Sequence, residues 1–291
     1  MSDTILVTGA TGFTGGFTVP ILLEHGFKLR CLVRPHSDTR QLASLGVELV
    51  RGDLDDPESL PRAFDGVSGL VSIAPLDTGY AEPLVEAAVV HGIERAVFVS
   101  STQIFTRLNA ETKAIRLEAE RRIAASGLWY TIIRPTMIYG TAGDRNISRL
   151  IRYLKRWPIL FIPGPGTYLV QPIYVDDVAR AIVDAYQEPR AVGNSYNIAG
   201  REPLAFNRLV DIIAGLLGRK ILKVHLPANA LIAVLQKAEA AGLRFFLRAE
   251  QLQRLNEDKA FDYAAAARDF GFTSLPFEEG VRREITALFK P

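Results

Sequence analysis

Three glycines at three-residue spacing lie near the start of the chain, where an apolar run gives way to a helix-like segment. They are Gly9, Gly12 and Gly15, within the stretch from Thr8 to Gly15. Glycine permits a tight turn and lets backbone N–H groups approach a pyrophosphate, while the N-terminus of the following helix adds a partial positive charge. Because the spacing stands at a predicted strand–helix junction, it indicates a dinucleotide-binding loop rather than a purely structural turn.

The residue that ends the second predicted strand bears on which dinucleotide would bind. An acidic residue there would accept hydrogen bonds from the ribose hydroxyls and favour NAD. This chain has Arg34, followed by Ser37 and Arg40. The guanidinium of Arg34 can make a charge-assisted contact with a 2′-phosphate, so we expect NADP as cofactor, with NAD as the second choice. The alternative is that Arg34 is a solvated charge at a strand end.

Strand-like and helix-like runs alternate through the first half of the chain. Strict alternation implies parallel strands with helical crossovers, so the sequence predicts an α/β fold, a Rossmann doubly wound parallel sheet. The predicted strands lie at 4–8, 28–33, 47–51, 69–73, 95–100 and 130–134, and the clearest predicted helices at 13–25, 81–91 and 111–126.

The alternation loosens after Tyr139, where glycines and prolines interrupt the chain. We therefore predict an NAD(P)-binding Rossmann domain at 1–140 plus 171–199, and a smaller, mostly helical C-terminal lobe at 141–170 plus 200–291. An apolar segment, Leu226–Leu247, falls in that lobe. Asp176 and Asp177 are expected to cap the helix that follows them.

Composition excludes several classes of function. The chain is 48% hydrophobic and 23% charged, and its net charge of +2 is too small to argue for nucleic acid or an anionic membrane as the main partner. One cysteine, Cys31, excludes a disulfide framework and favours a reducing, cytoplasmic location. The four histidines show no metal-ligand spacing, so we expect no metal. No apolar stretch is long enough to span a membrane, and no basic region followed by an apolar core and a cleavage site precedes the first strand, so we expect neither a membrane span nor a signal peptide.

Further motifs follow the glycine loop in a fixed order: Asp53-Leu54, Ser72–Pro75, Ser100–Thr102, Arg134–Gly140 and Ile173–Ala179. With them the sequence resembles the short-chain dehydrogenase/reductase superfamily over nearly its whole length, in the extended and atypical branch that includes epimerase/dehydratase-like and NmrA-like proteins. The cofactor contacts that the resemblance implies are Gly9, Thr11, Gly12, Phe13, Thr14, Gly15, Arg34, Asp53, Leu54, Ala74, Ser100, Lys113, Pro135, Thr136 and Met137.

The superfamily's acid/base pair, a tyrosine followed four residues later by a lysine, does not occur between the fifth and sixth strands. Alignment on Lys113 puts Asn109 at the tyrosine position, and the other register puts Thr112 there with Arg116 in place of the lysine. Neither asparagine nor threonine can replace a phenol of tunable pKa. Either register therefore loses the proton donor of the usual mechanism.

Four residues are candidate substitutes in a catalytic centre. Ser101 or Thr102 could orient a substrate oxygen, Lys113 could hold the ribose or stabilise a developing alkoxide, and Tyr139 could donate a proton. Tyr139 also has a simpler interpretation, in which its ring packs at the boundary between the two lobes.

Two classes of function stay open from the sequence. The first is an NADP-dependent oxidoreductase, or a nucleotide-sugar epimerase-like enzyme, with a non-standard proton donor and a nucleotide-sugar or carbonyl substrate. The second is a non-catalytic NAD(P)-binding redox sensor or assembly protein, which the missing tyrosine favours. Reduction of an activated carbon–carbon double bond, with Lys113 as the obvious candidate, ranks third. A monomer and a homodimer are equally compatible with the sequence.

Overall fold

The computed structural model describes residues 4–108, 111–228 and 257–289. Seven of its strands are β1 (Thr4–Thr8), β2 (Lys28–Val33), β3 (Glu48–Arg51), β4 (Gly69–Ser72), β5 (Arg95–Val99), β6 (Trp129–Pro135) and β11 (Asn194–Ile198). They form one parallel sheet in the order β11-β6-β5-β4-β1-β2-β3. The connections change direction between β1 and β4, which is where open α/β sheets bind ligands, beyond the carboxyl ends of the strands. The predicted doubly wound fold is confirmed.

Helices cover both faces of this sheet. They are α1 (Gly15–Glu24), α2 (Arg40–Ser44), α3 (Leu60–Phe64), α4 (Ala81–Val90), α5 (Glu111–Ala125) and α7 (Val175–Gln187). Successive residues of β1 point to opposite faces, so Ile5 and Val7 pack with α1 and α7 while Leu6 packs with α3 and α4. All three side chains are fully buried, which explains why β1 reads as a continuous apolar run.

The smaller lobe is built on a third apolar cluster beyond the carboxyl end of the sheet. Its helices are α6 (Ile147–Arg156), α8 (Phe206–Leu216) and α10 (Phe277–Phe289). Three two-stranded pairs accompany them: β7 (Ile138–Tyr139) with β10 (Ile173–Tyr174), β8 (Ile159–Pro163) with β13 (Leu222–Leu226), and β9 (Leu169–Val170) with β12 (Leu204–Ala205). The strands β7, β9, β10 and β12 have two residues each, which is too short to show a period in the sequence.

Some segments pack differently from the sequence interpretation. Residues of α9 (Ala264–Phe270), which the prediction gave to the lobe, pack in the cluster that also holds α1 and α7. Asp176 and Asp177 do not cap α7, because the helix begins at Val175 and both fall in its first turn. There, Asp177 accepts a hydrogen bond from the backbone N–H of Leu275 at 2.8 Å. The apolar segment Leu226–Leu247 lies mostly outside the described residues.

Candidate functional site

The glycine loop is closed by contacts that leave no space for side chains at two of its positions. A Cβ built on Gly9, where φ is +73°, would lie 2.6 Å from the backbone nitrogen of Ala74, and one built on Gly15 would lie 2.2 Å from the carbonyl oxygen of Gly9. At Gly12 the nearest atom to an added Cβ is 3.1 Å away. Gly9 and Gly15 therefore let the loop fold tightly, and Gly12 is the position with space for a ligand to approach.

The loop leads directly into α1, whose first turn contains no acidic residue. Thr14 precedes the helix, and its carbonyl oxygen accepts a hydrogen bond from the Thr18 hydroxyl at 3.0 Å. Thr11 is exposed, and Phe13 is half-buried against Phe17 with ring centroids 6.0 Å apart. The partial positive charge at the N-terminus of such a helix suits a pyrophosphate, so the glycine loop and the start of α1 fit a dinucleotide.

A groove of about 740 Å³ runs along the outer side of the loop, between α1 and the start of α7. Thr11, Gly12 and Phe13 line one end of it, and the carboxylates of Glu24 and Asp176 line other parts. Arg180 also lines the groove and lies 3.9 Å from the Asp176 carboxylate, so the groove carries charges of both signs. A pyrophosphate is expected at the edge of the loop that faces the sheet, beyond the carboxyl ends of the strands.

Candidate contacts for the adenosine end lie after β2 and β3. Arg34 is exposed, and within the described ranges no hydrogen bond or ion pair holds its guanidinium. Arg40 is instead paired with Asp38 at 2.6 Å. Asp53 donates its backbone N–H to the Ser59 hydroxyl at 3.0 Å, and Leu54 packs against the cluster of α3 and α4. Of Arg34 and Arg40, Arg34 is thus the one that could contact a 2′-phosphate without first breaking an ion pair.

The ends of β4 and β5 meet beside the loop. Thr8 donates to the Ser72 hydroxyl at 3.1 Å inside the sheet, and buried Ala74 contacts Gly9. At the end of β5, the Ser100 backbone N–H donates to the Ile133 carbonyl at 2.8 Å. The Ser100 hydroxyl oxygen is buried and has no hydrogen-bond partner among the described residues. An unpaired buried hydroxyl carries a free-energy cost that a bound ligand could offset.

Ser101 and Thr102 differ in what their hydroxyls do. Ser101 Oγ accepts from the backbone N–H of Gln103 at 3.2 Å, which leaves its own proton available for a substrate oxygen. Thr102 Oγ1 donates to the carbonyl of Pro135 at 3.2 Å and is buried. Ser101 is therefore the better placed of the two to donate a proton or orient a substrate.

The segment after β6 is held by a glutamine that the sequence analysis did not single out. Thr136 Oγ1 donates to the backbone carbonyl of Gln171 at 2.5 Å, and Met137 packs in the lobe cluster. The Gln171 side chain donates to the Gly200 carbonyl at 2.7 Å and accepts from the Phe261 N–H at 2.8 Å. Gln171 thus joins three chain segments at the boundary of the lobe, and its neighbours in sequence give no signal for this role.

Helix α5 presents Arg116 to the core, not Lys113. Arg116 is buried, pairs with Asp77 at 2.5 Å and donates to Gln103 Oε1 at 2.7 Å. Lys113 donates to the backbone carbonyl of Thr106 at 2.6 Å, over the segment that follows β5. Thr112 lies one helical turn before Arg116 and so shares its face, whereas Asn109 lies outside the described residues. Asp77 and Gln103 were missed, because their shared contact depends on two loops that are distant in sequence.

Tyr139 lies away from these groups. Its side chain is fully buried between Tyr174 and Phe277, and its hydroxyl donates to the Phe277 carbonyl at 3.3 Å. Burial, with a smaller contribution from the Glu284 carboxyl, raises the pKa of Tyr139 well above its usual range. This environment gives the hydroxyl a packing role in the lobe.

Neither a metal centre nor a membrane span is found in the parts of the chain that the structure describes. Within 4–108, 111–228 and 257–289, no three His, Cys, Asp or Glu side chains are grouped closely enough to hold a metal ion. In the same ranges no helix is both long and apolar enough to cross a bilayer.

Comparison with known proteins places the chain among relatives of low identity and similar length. A 2-alkyl-3-oxoalkanoate reductase of Stenotrophomonas maltophilia is 26% identical over an alignment of 327 positions, gaps included. The alignment covers 96% of this chain and 97% of the relative. The photosystem II assembly factor Ycf39 of Trieres chinensis is 25% identical over 240 residues, covering 76% and 72%. The structure of MoeE5 in complex with UDP-glucose and NAD superposes with a TM-score of 0.76, at 24% identity and 98% coverage of both chains.

The profile of the NmrA-like family matches residues 1–273, nearly the whole chain. This match agrees with the expected resemblance and with the doubly wound sheet described above. The protein therefore belongs to the NmrA-like family.

Proposed function

We propose that the protein is an NADP(H)-dependent oxidoreductase that reduces a small molecule at a polarised carbonyl group. The observation that carries the choice of NADP is Arg34, an exposed guanidinium with no ion-pair partner within the described residues, which follows β2, the neighbour of β1 in the sheet. The choice of a reductase is supported by the relative that spans almost all of this chain, which is named as a 2-alkyl-3-oxoalkanoate reductase.

The residues present fit a dinucleotide. The glycine loop would receive the pyrophosphate at Gly12, Arg34 would contact the 2′-phosphate, and the unpaired Ser100 hydroxyl would contact a polar group deeper in the cleft. When bound, a nicotinamide supplies a hydride to a substrate carbon or removes one. NAD complexes are known for a neighbour of the same fold, MoeE5.

Lys113 is the proton donor in this proposal. Arg116, which occupies the core-facing position on α5, stays protonated at all physiological pH values and cannot donate a proton. A lysine ammonium can, and Lys113 is held by Thr106 above the segment that carries Ser101. Arg116 instead orients that segment through Gln103, and Ser101 offers its hydroxyl proton to the substrate oxygen.

The cofactor assignment is tested by titrating the purified protein with NADPH and NADH, using fluorescence or calorimetry. We expect NADPH to bind more tightly. Arg34→Gln should weaken NADPH binding by roughly tenfold to a hundredfold, because a charge-assisted phosphate contact contributes about 1.5–3 kcal/mol. NADH binding should change little in the same variant.

Arg282→Gln is the matched control, since it removes an exposed arginine from α10 in the smaller lobe. It should bind both nucleotides as the unmodified protein does. Equal affinities for NADPH and NADH, or an equal loss with Arg282→Gln, would contradict a 2′-phosphate contact at Arg34. If neither nucleotide bound at all, the whole proposed function would fail.

Activity is tested by following NADPH oxidation with 3-oxoalkanoate, other carbonyl and nucleotide-sugar compounds. Lys113→Arg keeps the positive charge but removes the transferable proton, so kcat should fall by about a hundredfold to ten thousandfold. The Kd for NADPH should stay within roughly threefold, because the charge is retained. An unchanged kcat would exclude Lys113 as the proton donor.

A second candidate is a non-catalytic NADP-binding protein that senses redox state or assists assembly. The observation that favours it is the ion pair that already engages Arg116, together with the absence of the catalytic tyrosine in either register of α5. Ycf39, a relative covering 76% of this chain, is named as an assembly factor. Tight NADPH binding without oxidation by any acceptor tested would support this second candidate over the reductase.

A further inference from the structure

Four large apolar side chains are exposed together on the smaller lobe. Trp157 is 51% exposed, Phe161 58% and Leu222 62%, and Ile159 is also exposed. Ile159 and Phe161 alternate along β8 and so point to the same side, and Ile159 lies directly across from Leu222 in the β8–β13 pair. A contiguous apolar surface of this kind marks an interaction site more often than an isolated exposed side chain does.

An arginine stripe on α6 ends at Arg156, beside Trp157. Arg149, Arg152 and Arg156 recur at helical spacing and are exposed, on the side opposite the buried Ile151 and Leu154. The Arg156 guanidinium lies 5.4 Å from the ring centroid of Trp157. We call the stripe and the four apolar side chains together the basic-aromatic face.

The local charge around this face differs from the charge of the whole chain. Residues 145–175 contain five arginines and lysines and no aspartate or glutamate, although the net charge of the protein is only +2. Two further basic residues, Arg219 and Lys220, are exposed just before Leu222. Asp211 also lies near β13, but its carboxylate is paired with Lys223 at 2.7 Å. The face therefore combines exposed apolar groups with an excess of positive charge.

We propose that the basic-aromatic face docks the protein on an anionic lipid surface. A second copy of the chain would bring two arginine stripes together, and like charges at close range repel. An anionic bilayer satisfies both features, because its headgroups attract arginines while the acyl boundary accepts tryptophan, phenylalanine and leucine. The contact is peripheral and adds a site separate from the glycine loop.

The experiment is flotation of the full-length protein with vesicles of phosphatidylcholine alone or with about one-third phosphatidylglycerol. We expect binding to the anionic vesicles that weakens as salt is raised, and none to pure phosphatidylcholine, because headgroup charge supplies most of the attraction. Arg149→Gln with Arg156→Gln should weaken binding by about thirtyfold, since each arginine near such a surface contributes roughly a factor of five.

The matched control for charge is Arg121→Gln with Arg190→Gln, which removes the same net charge from exposed positions on α5 and near residue 190, away from the lobe. This control should weaken vesicle binding by less than about threefold, because it reduces only the long-range attraction between the protein and the anionic surface. NADPH binding by each variant reports whether the sheet domain is still folded. Equal losses in the two double variants would overturn the proposal, because binding would then depend on net charge and not on this face.

The chain has two tryptophans, which allows a direct test of insertion. Trp129→Phe leaves Trp157, and Trp157→Phe leaves Trp129, which is 65% exposed at the amino end of β6. With anionic vesicles, the emission of the Trp129→Phe protein should shift to shorter wavelength and be quenched by brominated lipid, while that of the Trp157→Phe protein should not. Absence of a Trp157 response would overturn the proposal, as would lipid-independent dimerisation through this face.

Discussion

The Arg116 guanidinium on α5 lies 2.5 Å from the Asp77 carboxylate, 39 residues earlier in the chain. The two side chains are 10% and 21% exposed, so the ion pair is largely shielded from water. The same guanidinium holds Gln103 on the segment after β5. One arginine therefore fixes the loops that follow two neighbouring strands, at the edge of the sheet where the cofactor and substrate are proposed to meet.

Removal of the Asp77 charge should destabilise the fold. Asp77→Asn removes one charged partner of Arg116 in a shielded position, so the free energy of unfolding should fall by about 1–3 kcal/mol. Glu278→Gln breaks the pair with Arg282 on α10, in which both side chains are more than half exposed, and should change the free energy of unfolding by less than about 1 kcal/mol. Equal, small effects in both variants would show that the Asp77 pair contributes no more than a surface pair.

Two alanine substitutions in the glycine loop should have different effects. Gly9→Ala combines a positive φ with a Cβ 2.6 Å from a backbone nitrogen, so it should cost more than about 3 kcal/mol of stability. Gly12→Ala meets only an atom at 3.1 Å and should remain folded while NADPH binding weakens at least tenfold.

Gly26→Ala is the control that measures the cost of a positive φ alone, without a steric clash. Its φ is +83° and nothing lies within 4 Å of an added Cβ, so it should cost only the backbone strain, about 1–2 kcal/mol. Urea unfolding and NADPH titration of the three variants check these expectations. A Gly12→Ala protein that bound NADPH normally would show that the pyrophosphate does not approach that residue.

Stability should depend on pH through Glu284. Burial, assisted by the nearby Asp144 carboxylate, raises the pKa of this fully buried side chain to about 10, from an ordinary value of 4.5. Between those values the folded protein holds a proton that the unfolded chain has released, so the free energy of unfolding falls as pH rises. Glu284→Gln removes the titration and should gain more stability at pH 9 than at pH 6.

Urea unfolding of Glu284→Gln at the two pH values is the measurement. Glu279→Gln, on the exposed side of the same helix, is the control and should show no such pH-dependent gain. A gain of equal size at pH 6 and pH 9 would mean that Glu284 does not titrate in this range.

Tyr139→Phe separates packing from catalysis. If the hydroxyl only donates to the Phe277 carbonyl, its loss should cost about 0.5–1.5 kcal/mol and leave kcat and NADPH affinity unchanged. Tyr139→Ala also empties a fully buried site and should cost about 3–5 kcal/mol. A large fall in kcat for the folded Tyr139→Phe protein would restore the tyrosine as a proton donor.

The sequence by itself determined the parallel sheet, the position of the glycine loop and the family resemblance. Each depends on local patterns, such as the continuous apolar run of β1 or the spacing of Gly9, Gly12 and Gly15. Residues close together in sequence show the periods of strands and helices. They also show where a turn requires glycine or proline. The roles of the predicted cofactor contacts and the domain boundaries stay predictions.

Only the tertiary structure showed that Arg116 of α5 is buried against Asp77 and Gln103, while the choice between the two registers stays a prediction. It also placed the Tyr139 hydroxyl against Phe277 and left the Ser100 hydroxyl buried without a partner within the described residues. These contacts join segments that are far apart in sequence. No periodicity or residue spacing in the sequence indicates which distant segments will meet. The burial that shifts a pKa or isolates a hydroxyl exists only when those segments have packed together.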